Sequence, residues 1–392
     1  MEKALELAKL TAQPFRLLPS ERVTVWAGYR DIRERLLEVV ESPRADEVGL
    51  YEFVILYGFL GSGKSHALRY LKYLITEKEK AKYRSIVVYI EQLAVAARTD
   101  FPALFRATMA LLREELPRVG EVVDTFVDDQ VEKAWAAQSD DVRRRIRKQD
   151  FREQELPSLY SKLSPQFPPL PRLLSAARAG DDGAVAILTR QKPKVDPSKY
   201  GLLGFIETQF DTVRCLAAFI NLCTTPIEGV PDTPLYKCFY LFIDEVERLR
   251  EMPTAEVRSI NDGFRDLLNA CPERFCLLLG ATSDVAEIEA WTEDHVRARL
   301  TRDPIEIPEL EPEQAVEFIK DIMRQYRQPS ASVPDAYPFD EDALREISLS
   351  APRRTARELF RRCHTVLQKA TLSGRLEANG IITVADVKEF LE

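Results

Sequence analysis

Eight residues constrain this chain more than any others. Gly58-Phe-Leu-Gly61-Ser62-Gly63-Lys64-Ser65 fits the phosphate-loop pattern G-x-x-x-x-G-K-[ST], which has mechanical meaning only between a strand and a helix. Residues 51–58, YEFVILYG, are an apolar, aromatic and β-branched run of strand length ending in glycine, which predicts a buried parallel strand. HALRYLKYLI, after Ser65, spaces its apolar residues as a helix does. In such a loop successive backbone N–H groups converge on phosphates, side chains would obstruct them, and the next helix adds its N-terminal dipole. Lys64 then places a cation on the β- and γ-phosphates and the Ser65 hydroxyl ligates Mg²⁺. A chance match is a poor explanation, because the chain has 15 glycines and three of them fall between 58 and 63.

A second apolar run, Tyr236 to Ile243, leads directly into Asp244-Glu245. At the carboxyl end of a neighbouring strand this pair puts Asp244 beside the metal and leaves Glu245 to polarise a water as general base. A third run, Phe275 to Leu279, ends in Gly-Ala-Thr282-Ser283-Asp284, small hydroxyl side chains at the height of a γ-phosphate. Further on, Arg297, Arg299 and Arg302 precede an extended 304–308 segment. Each is either a cation for a neighbour's nucleotide or part of a solvated helix end.

Residues 311–392 read as wholly helical, with segments at 311–327, 340–349, 353–371 and 383–391. Pro352 suits the first position of the third segment, which puts Arg353 in its first turn. A cation there opposes the helix dipole, so Arg353 is expected to reach the ATP phosphates. Arg353, Arg357 and Arg361 share an i, i+4 face that could equally be solvated or protein-facing.

The order of these motifs resembles AAA+ ATPases of the clade that contains origin-recognition initiators and their STAND relatives. The resemblance covers about residues 20–115 and 203–392. It implies an α/β fold, a three-layer parallel-sheet P-loop domain with a C-terminal helical lid. Trp26-Ala-Gly28-Tyr29-Arg30-Asp31 followed by IRERL is similar to the element that borders the adenine in that clade, which implicates Tyr29 and Arg30. Carried over by motif, Walker A falls on Gly58 to Ser65, Walker B on Asp244 and Glu245, sensor 1 on Thr282 or Ser283, the arginine finger on Arg299 or a neighbour, and sensor 2 on Arg353. The loop also resembles that of BREX-type defence ATPases in continuing to His66, and the compact plan is similar to transposition regulators of the TnsC, TniB and MuB kind. ATP, Mg²⁺, a homo-oligomer and action on DNA in transposition, anti-phage defence or replication are what these resemblances imply. A STAND-like signalling switch or scaffold that assembles around protein partners without DNA is the rival. Initiators carry a winged-helix domain after the lid, which residues 311–392 do not supply, so sequence-specific origin binding is not carried over.

The resulting division is 1–50, a linker and adenine-side element; 51–116 with 203–310, the sheet domain; 117–202, a helical insertion; and 311–392, the lid. The insertion holds Arg143-Arg144-Arg145-Ile-Arg147-Lys148, five cations in a chain whose 63 acidic and 55 basic residues give a net charge of -8. This run either tracks a nucleic-acid backbone or is neutralised by Asp140, Asp141 and Asp150. No window is apolar enough to span a membrane, and the start MEKALELAKL lacks the basic and apolar regions of a signal peptide, which predicts a cytoplasmic protein. Six scattered cysteines, which read as buried thiols, and three histidines offer no metal-ligand spacing.

Overall fold

The computed structural model describes residues 2–16, 23–44, 50–93, 99–190, 192–282, 284, 287–288, 292–377 and 380–392. Five strands, Glu52–Gly58 (β1), Ile86–Ile90 (β2), Phe239–Ile243 (β3), Phe275–Thr282 (β4) and Ile305–Glu306 (β5), form one parallel sheet in the order β2-β3-β4-β1-β5. Side chains of a strand alternate between faces, and two cores result. Phe53, Ile55, Leu241, Ile243, Leu277 and Leu279 face the helices Phe101–Leu111, Gln209–Thr224 and Thr254–Ala270. Val54, Leu56, Tyr240, Phe242 and Leu278 face Arg30–Glu41 and Lys64–Tyr73. After β1 the chain crosses to the far edge to make β2, while β4 and β5 flank β1. The carboxyl end of β1 is therefore the switch point where ligands of open α/β sheets bind. This is the three-layer P-loop architecture with a helical lid that the sequence implied.

Between β2 and β3 the chain builds the helices Leu116–Ala136, Asp140–Arg145, Lys148–Leu163, Pro169–Arg178 and Asp182–Thr189. Their apolar side chains, among them Val123, Leu170 and Leu174, join the same core as β1, β3 and β4. Gly180-Asp-Asp-Gly183 is a capped junction: the Asp181 carboxylate accepts from the Gly183 N–H (2.9 Å), Lys199 Nζ (2.7 Å) and the Tyr200 hydroxyl (2.8 Å). These donors pull its pKa down to about 2, led by Lys199 and then Tyr200. A depressed carboxyl stabilises the fold fully above its unfolded value near 3.8, and that contribution disappears as pH falls through about 2. Asp181→Ala is expected to lower unfolding free energy by about 1 kcal/mol, the size of a lost helix cap, and to leave nucleotide affinity unchanged; chemical denaturation and nucleotide titration check the two halves.

The lid comprises Pro312–Gln325, Glu341–Leu349, Ala356–Leu372 and Val384–Leu391. Its core includes Ala8, Leu10 and Phe15, so the N-terminal segment belongs to the lid. Arg327 holds it there, donating to the carbonyls of Ala8 (2.9 Å) and Tyr337 (2.7 Å). The third lid helix starts later than the sequence reading places it. Thr355 is its N-cap and accepts the Glu358 N–H, so Pro352 and Arg353 lie in the preceding turn.

All six cysteines are buried thiols. Among the described residues no helix is long and apolar enough to cross a membrane, and no His/Cys/Asp/Glu group is arranged to hold a metal unaided.

Candidate nucleotide site

The loop after β1 depends on three glycines in the left-handed half of backbone space: Gly58 (φ 152°), Gly61 (φ 82°) and Gly63 (φ 116°). A Cβ on Gly61 would stand 2.7 Å from the Arg357 Cβ, and one on Gly58 would stand 2.5 Å from the Ile307 carbonyl oxygen. Around Gly63, by contrast, a Cβ would meet nothing within 4 Å, which leaves room over the start of the Lys64–Tyr73 helix. Lys64 is buried and donates to the carbonyls of Gly58 (3.0 Å) and Phe59 (3.0 Å). Burial lowers its pKa, and the carboxylates of Glu247, Asp244 and Glu245 oppose that shift. The Ser62 hydroxyl is buried in the same loop without a hydrogen-bond partner among the described residues.

Asp244 immediately follows β3 and is 3% exposed. It accepts from the Tyr89 hydroxyl (3.1 Å) and the Glu245 N–H (3.0 Å). Burial pushes its pKa up, and hydrogen bonds from Ser65, the Glu245 N–H and Tyr89 partly offset this. Asp244 is packed against β4, where only Gly280 fits: a Cβ there would stand 2.7 Å from its Oδ1. Glu245 adopts a left-handed backbone (φ 53°) and pairs with Arg248 at 3.0 Å. Non-glycine residues held in that region cluster at functional sites.

These groups line a cavity of about 250 Å³ together with Gly61, Ser62, Gly63, Ser65, His66, Thr282 and Arg357. Its other wall is apolar and aromatic, formed by Val23, Trp26, Tyr29, Phe318, Tyr326 and Phe360. The N-terminal segment, the phosphate loop and the lid thus close around one space. His66 Nε2 donates to the Val25 carbonyl at 2.8 Å from an exposed position at the cavity rim. Tyr29 donates from its hydroxyl to the Pro308 carbonyl at 3.1 Å, while burial pushes its phenol up.

Several expected residues stand elsewhere. Arg30 opens the Arg30–Glu41 helix, is exposed and does not line the cavity. Arg353 lies over the Phe59 ring (4.3 Å) and near Glu309 (3.9 Å), more than half exposed. The third lid helix brings Arg357 to the cavity, where its backbone N–H donates to the Gly61 carbonyl at 3.1 Å. The helix-dipole reasoning applied to Arg353 belongs to Arg357, in the first turn set by the Thr355 cap. Arg361 pairs with Glu358 at the surface. Ser283 lies outside the described residues. Of the three arginines before β5, Arg297 pairs with Asp294, and Arg302 bonds Glu38 (3.2 Å) and Glu52 (3.3 Å). Arg299 has no side-chain partner among the described residues. Three charged residues of the cavity wall, Arg16, Glu247 and Arg357, were not among the sequence-predicted site residues; the Thr355-x-x-Glu358 capping pattern was a signal for the last.

The fit to a magnesium nucleotide rests on the loop itself. An orphaned buried hydroxyl, open space over a helix start and a buried cation whose hydrogen bonds among the described residues go to backbone carbonyls are the features of an anion cradle. Ser65 and Asp244 would hold Mg²⁺, which supplies charge neutralisation to phosphate oxygens. Fold and site together define a P-loop α/β domain whose cavity is closed by a helical lid.

No protein-family model and no curated protein matches the chain. Solved structures similar to it include the ORC1 protein of Aeropyrum pernix in complex with DNA, at 14% identity and a TM-score of 0.48 over 98% of this chain and 69% of that one. Another is Cdc6p of Pyrobaculum aerophilum, at 14% identity and TM-score 0.47 over 94% and 68%. A third is domain III of the Thermotoga maritima replication initiation protein DnaA, at 12% identity and TM-score 0.40 over 96% and 99%.

Proposed function

We propose that the chain is an AAA+ type, Mg²⁺-dependent ATPase whose nucleotide gates its assembly into a homo-oligomer acting on DNA. The observation that carries the ATPase reading is the convergence of Lys64, Asp244, Glu245 and Arg357 on one cavity whose opposite wall is aromatic. Lys64 and the loop N–H groups bind the phosphates, Arg357 brings a cation from the lid, and the aromatic wall takes the base. Glu245 takes a proton from water once its carboxylate leaves Arg248. Charge developing in the transition state is assigned to a neighbour's Arg299, which has no side-chain partner among the described residues of its own chain. Arg299→Ala is expected to reduce turnover about a hundredfold or more, as loss of an arginine finger does, while ADP affinity is retained; steady-state hydrolysis and equilibrium binding check it. Unaltered turnover removes Arg299 from the site.

The contact with DNA is proposed through the exposed run 143–148. Most of its cations have acidic neighbours: Arg145 pairs with Asp141 (2.8 Å), Arg147 with Asp150 (2.8 Å), Lys148 with Glu132, and Arg143 approaches Asp140 (4.0 Å). Arg144 has no partner among the described residues. Exposed pairs of this kind are worth only about 0–1 kcal/mol, so phosphates can replace the carboxylates. Arg143→Glu with Arg147→Glu is expected to weaken retention of duplex DNA and flatten its salt dependence, with ATP affinity intact; unchanged retention rules this run out. The same neutralisation favours a second reading, a nucleotide-gated scaffold for protein partners that does not touch DNA.

A further inference from the structure

Glu247 lies in the short 3-10 helix Val246–Glu251 that comes after β3, and its side chain lines the cavity beside Asp244 and Glu245. Its Oε2 accepts the backbone N–H of Thr282 at 2.9 Å. Thr282 is the last residue of β4 and stands opposite Gly58, the first glycine of the phosphate loop, in the β1–β4 register. One carboxylate therefore ties the turn after β3 to the strand end next to the loop. Its charge also acts on Lys64 more strongly than that of Asp244 or Glu245. Glu245 differs: its carboxylate is 43% exposed and held by Arg248. Two glutamates two positions apart thus have separate surroundings, one facing solvent and an arginine, the other an N–H and a buried lysine.

We propose that Glu247 is a positioning residue that sets the preference of this site for a nucleoside triphosphate over a diphosphate, by fixing Thr282 beside Gly58. The inference rests on the nucleotide-site reading above. A backbone N–H at a strand end needs an acceptor, and an ionised acceptor makes a bond about twice as strong as a neutral one. Thr282 lines the cavity, and with that N–H held its hydroxyl is assigned to the third phosphate. Without it the strand end is free to turn the hydroxyl away, and only contacts specific to the γ-phosphate suffer.

The test compares ADP and a slowly hydrolysed ATP analogue, both with Mg²⁺, by equilibrium binding to the full chain and to E247Q, E247A and T282A. E247Q keeps an acceptor oxygen and should hold the triphosphate-to-diphosphate affinity ratio within about threefold of the parent, whereas E247A and T282A should lower it about tenfold, the scale of a hydrogen bond to a charged group. Rescue by glutamine separates the bond from the charge, and T282A removes the hydroxyl while keeping the backbone N–H that Glu247 accepts. An unaltered ratio in E247A, or an E247Q as defective as E247A, overturns the positioning role and leaves the nucleotide site standing. A parent chain that binds neither nucleotide overturns the site itself and this inference with it.

Discussion

Lys64→Ala is expected to remove measurable nucleotide binding. The buried ammonium of Lys64 is the cation that faces the carboxylates of Glu247, Asp244 and Glu245 from within the phosphate loop, and its two hydrogen bonds go to the loop carbonyls of Gly58 and Phe59. A phosphate chain arriving there exchanges those carbonyls for charged oxygens, a stronger class of bond. Alanine deletes that exchange and also leaves three acidic side chains opposing the incoming anion. Two hydrogen bonds to charged groups at about 1.5–3 kcal/mol each correspond to a loss of about a hundredfold or more in affinity. The fold should survive, because Lys64 is the first residue of its helix, where alanine is a good helix former. Calorimetric titration with ADP and ATP, beside a thermal melt, checks both parts; near-normal affinity with a normal melt would remove Lys64 from any phosphate.

Glu245→Gln is expected to separate binding from turnover. The substitution is nearly isosteric, and Asp244 still accepts the backbone N–H of residue 245, so the left-handed turn and the metal ligand stay in place. The proton acceptor is lost, and general-base catalysis contributes about 10²–10⁴ in rate. The variant should bind ATP as the parent does and hydrolyse it at least about a hundredfold more slowly on that scale. It also loses the ion pair to Arg248, a surface contact of small energy. Full turnover in Glu245→Gln would show the base assignment wrong and turn attention to Glu247, the remaining glutamate on the cavity wall.

These two residues are legible in the sequence because each follows a strand that composition announces, Glu245 in the acidic pair directly after it and Lys64 across the glycine loop. YEFVILYG and the run ending at Ile243 have the pattern of buried strands, and the residues after a buried parallel strand stand at the edge where ligands bind. The lid cation is displaced by four positions, from Arg357 onto Arg353, because Pro352 resembles a helix start. The stronger local signal is Thr355, whose hydroxyl caps the helix. Glu247 has no signal of its own: its meaning comes from a hydrogen bond to Thr282, 35 positions away. The cationic run is legible as a run, and Asp141 and Asp150 as its neighbours. That Lys148 meets Glu132 and Arg152 meets Asp128 depends on how two helices of the insertion pack. The insertion itself looks separable along the chain, yet its apolar faces complete the core of the sheet.

The central claim is that nucleotide gates assembly, and solution mass tests it most directly. The purified chain, 44.8 kDa as a monomer, would be weighed by light scattering with no nucleotide, with ADP and with a slowly hydrolysed ATP analogue, each with and without duplex DNA. The account predicts a monomer or small species without nucleotide or with ADP, and a defined larger assembly with the ATP analogue that DNA enlarges or stabilises. Growth with the analogue that ignores DNA would favour the protein scaffold. A mass that stays the same in every condition would contradict the account.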